Sequence, residues 1–81
     1  MPSNTKNEKI EVMALFTYGF NPCEPLRFKR ADGREVKIHS VESTQIKFAS
    51  DATIHKFVVN SVKGRHTLLF NSADLHWSLV G

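Results

Sequence analysis

The chain predicts an all-β domain, a small antiparallel, partly open barrel of SH3-like type with five to six strands. Three observations carry that expectation. Apolar and polar residues alternate with period two over most of the chain. Turn signals recur at short intervals, at Asn21-Pro22, Asp32-Gly33 and Lys63-Gly64. Three hairpin-like connections in one short chain favour a sheet that curls on itself. An OB-like barrel is the alternative. It would place a helix between two strands, and only Val41–Ala52 could supply one, where Val41, Thr44 and Ile46 weaken it.

Taken in order, residues 1–8 are polar and read as a disordered tail, with 9–81 as one domain. Ile10, Val12, Ala14 and Phe16 alternate with Glu11, Met13 and Leu15, a first strand that is apolar on both faces. Tyr18 to Pro25 holds two prolines, a glycine and an asparagine, and reads as a loop. Leu26, Phe28 and Arg30 then share one face, as do Val36 and Ile38 on the following strand. A two-residue Asp32-Gly33 turn would set Phe28 opposite Lys37 and mix the faces. A three-residue loop, Ala31-Asp32-Gly33, sets Phe28 opposite Val36, Leu26 opposite Ile38 and Arg27 opposite Lys37. The second register is preferred, with Gly33 left-handed.

Val41, Ile46 and Phe48 do not continue the alternation of Val36 and Ile38. A bulge near Ser40, or a new strand at Thr44–Phe48, restores it. Thr53–Val62 is rich in β-branched residues and reads as a strand. A two-residue Lys63-Gly64 loop pairs Val59 with Leu68 and Phe57 with Phe70. A four-residue loop at Asn71–Asp74 pairs Phe70 with Leu75 and Leu68 with Trp77. One face then carries Phe57, Val59, Leu68, Phe70, Leu75, Trp77 and Leu79, the expected core.

Composition bounds the function. The chain has 81 residues, 41% of them hydrophobic, with 11 basic and 8 acidic side chains and a formal charge of +3. That size holds one domain and leaves little room for a deep pocket. The charge excess is below that of a dedicated nucleic-acid binder. A single cysteine, Cys23, allows no internal disulfide and no cysteine-based zinc site. No apolar run reaches membrane-span length, and the N-terminus lacks the pattern of an export signal. A cytoplasmic location and no membrane partner are therefore expected.

The order of features resembles a group of small bacterial β-barrel proteins forming a domain family of unknown function. The elements are Pro25-Leu26-Arg27-Phe28, Gly33-Arg34, Val36-Lys37-Ile38, Lys63-Gly64-Arg65 and Trp77-Ser78-Leu79. The likeness spans roughly residues 10–80 and departs from the group at Arg30, where an aromatic is usual. It implies the barrel fold and no catalytic residues. Some members of the group look like accessory domains associated with DNA-repair polymerases.

No catalytic constellation is expected. Cys23 sits beside Glu24, which opposes thiolate formation. Ser, His and Asp occur without a nucleophile elbow, and no phosphate loop or dinucleotide fingerprint is present. On the registers above, His55 and His66 face inward but lie six rows apart, roughly 20 Å. His39 and His76 point elsewhere, so neither metal nor cofactor is expected. A basic face is the most distinctive feature. Arg27, Lys29, Lys37 and His39 share one parity, and Lys63, Arg65 and His66 gather at the later turn. Tyr18 and Phe20 offer aromatic surfaces in the long loop. The expected function is a non-catalytic interaction or accessory module, binding a protein partner or itself. A nucleic-acid-binding domain using this basic face is the alternative.

Overall fold

A computed structural model describes residues 7–16, 23–48 and 50–80. They form seven strands: β1 (Asn7–Phe16), β2 (Cys23–Lys29), β3 (Glu35–Lys37), β4 (Ser40–Phe48), β5 (Thr53–Ser61), β6 (Gly64–Asn71) and β7 (His76–Val80). All pairings are antiparallel, in the order β3-β2-β1-β7-β6-β5-β4, and the sheet curls into a half-barrel. The all-β expectation is met, but with seven strands rather than five to six.

The extra strand has a simple origin. Following the antiparallel pairs around the sheet shows that β3 and β4 run in the same sense. Only Ile38 and His39 separate them. Ile38 donates its N–H to the Leu26 carbonyl on β2, at 3.0 Å, and His39 donates to the Asn60 carbonyl on β5, at 2.7 Å. Successive amides of an extended chain point to opposite sides, so this corner reaches both neighbours at once. One bent segment, Glu35–Phe48, thus joins the two ends of the sheet.

The first hairpin has the expected register, Arg27 opposite Lys37 and Phe28 opposite Val36, with Gly33 at φ +92°. The Arg30 N–H reaches the Arg34 carbonyl at 2.8 Å across the three-residue loop. β1 begins at Asn7, so Asn7 and Glu8, expected in the tail, pair with Val80 and Leu79. A bulge between β1 and β2 falls at Leu26, where Met13 pairs with Arg27 but Ala14 with Pro25. It inverts the face of the preceding residues. Cys23 and Pro25 therefore turn inward with Phe28, while Leu26 is exposed instead of lying in the core.

Region 41–48 is strand, with no helix there, and contains the anticipated irregularity. The register shifts between Val41 and Ser43, leaving Glu42 as the bulge. Two later registers differ from expectation by one step of two residues. Ser61 pairs with Gly64, so the loop is Val62-Lys63 and Phe57 opposes Leu68. The Ser61 hydroxyl accepts from the Lys63 N–H at 3.0 Å and so fixes the turn one residue earlier. Phe70 opposes Trp77, so the last loop is Ser72–Leu75. There the Asp74 carboxylate accepts from the His76 N–H at 3.0 Å, and Leu75 takes a left-handed φ of 59°. Leu75 is 70% exposed and leaves the expected core. Both shifts are by an even number, so inward faces still meet inward faces.

The resulting core holds Ile10, Cys23, Phe28, Val36, Phe57, Val59, Leu68, Phe70, Trp77 and Leu79. Burying each large side chain contributes about 1.5–3 kcal/mol. Trp77 bridges two strands, its ring 4.7 Å from Phe70 and 5.6 Å from Phe57.

Candidate functional site

The barrel has two unlike ends. At one, Arg30 before the first hairpin loop and Lys63 of the turn Val62-Lys63 both lie near His66, which packs on Phe28. The His66 ring lies edge-on to Phe28 at 5.4 Å, and its Nε2 is 3.0 Å from the Ser61 hydroxyl. Burial, then the nearby charges of Arg30 and Lys63, push the His66 pKa below its ordinary 6.5. The two basic hairpin ends therefore do converge. They also meet carboxylates. Glu8 binds the Arg30 guanidinium at 2.7 Å and the Ala31 N–H at 2.8 Å, which lowers its own pKa. Asp32 is held low by the backbone N–H and the side chain of Arg34.

On the convex face the basic residues are where parity puts them, but interleaved. Lys29 stands between Glu11 on β1 and Glu35 on β3. Arg27, opposite Lys37, lies 3.9 Å from Glu35. Arg65 pairs with Glu42 at 3.2 Å. All four arginines thus have a carboxylate neighbour. Lys37, His39 and Lys63 are exposed. Tyr18 and Phe20 lie outside the described residues. Sequence parity missed Glu8, Glu11 and Glu42 because they come from β1 and β4, strands not in the hairpins that carry the basic residues.

The other end is open and apolar. The register Ile46–His55–Phe70–Trp77 runs across four strands on the concave face. His55 stacks near-parallel on Phe57 at 6.3 Å and lies 5.8 Å from Phe70. Phe16, 63% exposed, meets Phe70 edge-on at 6.4 Å. Ile46 is 44% and Phe48 83% exposed, although both have inward parity on β4. This rim borders a second feature. Beyond the Ile38-His39 corner, β2 and β4 diverge. They leave a groove of about 390 Å³ lined by Cys23, Glu24, Pro25, Val41, Glu42, Ser43, Thr44 and Phe57. No described strand pairs with the outer edge of β4. Sequence reading placed Ile46 and Phe48 on a strand but gave no sign that the wall facing them stops short.

Cys23, expected in the Tyr18–Pro25 loop, is the first residue of β2 and is buried, which raises its pKa. That is the opposite of what a nucleophilic thiolate needs. The revised register places His55 and His66 four rows apart, about 13 Å. Among the described residues, no three His, Cys, Asp or Glu side chains gather as a metal site would require. Among the described residues, no helix is long and apolar enough to cross a membrane. Comparison with protein-family models, curated proteins and solved structures finds no match.

Proposed function

We propose that this domain is a non-catalytic interaction module that binds an extended protein segment at its open end. The observation that carries this reading is the exposure of Ile46 and Phe48 beside the unpaired edge of β4, in a rim that reaches Phe16 through His55 and Phe70. An exposed strand edge supplies backbone donors and acceptors in register. Alternate side chains of an added strand would then fall on the concave rim. Exposed large apolar side chains gathered at a strand edge are a common mark of binding surfaces. The SH3-like description of the barrel belongs to the same proposal. It is favoured over an OB-like one because region 41–48 is strand where an OB-like barrel would use a helix.

The nucleic-acid reading rests on the lysines of the convex face and the meeting of the two hairpin ends. It is the weaker reading, because arginine, the side chain best suited to phosphate, is engaged with carboxylate at every position. Amide chemical-shift mapping separates the two. Extended peptides of alternating apolar and polar residues should perturb Ser43–Phe48, His55 and Phe70. Single-stranded oligonucleotides at about 50 mM salt, where electrostatic affinity is strong, should leave the spectrum unchanged. Shifts confined to Arg27, Lys29 and Lys37 on adding oligonucleotide would overturn the interaction reading in favour of the other.

A further inference from the structure

The outer edge of β4 is complementary to itself. Residues Ser43, Gln45 and Lys47 point to the convex side, and Thr44, Ile46 and Phe48 to the concave side. An isologous antiparallel pair of two such edges must keep concave residues opposite concave residues. Few registers satisfy this. A two-fold axis at Lys47 opposes two ammonium groups, which costs stability. An axis at Gln45 sets Phe48 against the Glu42 bulge. An axis at Ile46 sets Ile46 opposite Ile46, Thr44 opposite Phe48 and Gln45 opposite Lys47. That register opposes no like charges and covers both exposed apolar side chains of the strand.

The usual protections against edge pairing are sparse along this stretch. Ser43–Phe48 has no proline, no bulge and no inward-pointing charge. The Glu42 bulge sits just before it, so the pairable edge starts at Ser43. Resting on the interaction reading above, we infer that the occupant of the β4 edge is a second copy of this chain. Two curled sheets join through antiparallel β4 strands with the two-fold axis at Ile46.

The test uses the full chain. Sedimentation equilibrium up to about 1 mM should show a reversible monomer–dimer equilibrium. Ile46→Lys, which opposes two charges across the axis, should abolish it with the thermal midpoint retained. In a Cys23→Ala background, Ile46→Cys should crosslink rapidly to a covalent dimer under mild oxidation. Gln45→Cys and Lys47→Cys should not, since neither lies opposite itself. This arm keeps the proposal testable if Ile46→Lys fails to fold. A monomer at every concentration, or crosslinking at position 45 or 47 in preference to 46, overturns the inference. A monomer that still binds extended peptides at β4 overturns the dimer alone. A monomer that binds none overturns the interaction reading as well.

Discussion

The two ends of this barrel are built from similar residue types and finished in opposite ways. At the hairpin end, Phe28 is 1% exposed, roofed by His66 and closed in by the Glu8–Arg30 pair. At the open end, Phe48 holds the equivalent inward parity yet is 83% exposed. The difference lies in what stands opposite. Phe28 has neighbours on both sides, Val12 on β1 and Val36 on β3. Phe48 has Thr53 on one side and no described strand on the other. Inward parity decides which way a side chain points. A second flanking strand decides whether it is covered.

The contrast is broken most directly by truncating both phenylalanines. Phe28→Ala should cost about 3–5 kcal/mol in chemical denaturation, from lost transfer energy and the cavity left behind. For a domain this small that approaches the whole stability. Phe48→Ala should change stability by less than about 0.5 kcal/mol. It should instead remove the signal of a hydrophobic dye that reports exposed apolar surface. Equal destabilisation by the two would mean that the open end is in fact packed.

The same contrast explains what could be read in advance. The register of the first hairpin was legible from Arg27 to its turn, because two candidate registers differed by one residue and only one kept Phe28 with Val36, whereas the bulge that turns Leu26 outward was not. The later meander was legible as faces but not as pairs. Moving its registers by two residues leaves Phe57, Val59, Leu68, Phe70, Trp77 and Leu79 inward, so parity cannot detect the shift. What fixed those registers were side-chain bonds inside turns, from Ser61 and Asp74. Leu75 was lost from the core for that reason. In the first hairpin Arg27 stands opposite Lys37 as its register requires, but carboxylates are interleaved with the basic residues. Glu8, Glu11 and Glu42 reach them through pairings between strands distant in sequence. The apolar rim was not visible, since it exists only because β2 and β4 diverge after the Ile38-His39 corner.

A smaller effect sharpens the account of the closed end. Glu8 accepts from Arg30 and from the Ala31 N–H, and its pKa lies below the ordinary 4.5. A carboxyl held low in the folded state adds stability above its unfolded pKa, and loses it as pH falls through the folded value. Glu8→Gln should lower the thermal midpoint at neutral pH and flatten the decline below about pH 4.5. It should leave the hydrophobic-dye signal of the open end unchanged. A dye signal that rises with the loss of Glu8 would show that the two ends are coupled.

His66 should give the mildest response. Its folded pKa lies below 6.5 because its ring is partly buried and faces the charges of Arg30 and Lys63. The unfolded chain therefore binds a proton more readily than the folded one. Stability from this group is complete above about pH 6.5 and falls as pH drops toward the folded value, where the loss levels off. Between about pH 7.5 and pH 5.5 the wild-type thermal midpoint should decline. His66→Gln can still reach the Ser61 hydroxyl but takes up no proton, so it should remove most of that slope. If the slope survives in His66→Gln, the acid sensitivity lies elsewhere, and the closed end is held by Phe28 and the Glu8–Arg30 pair without help from a neutral imidazole.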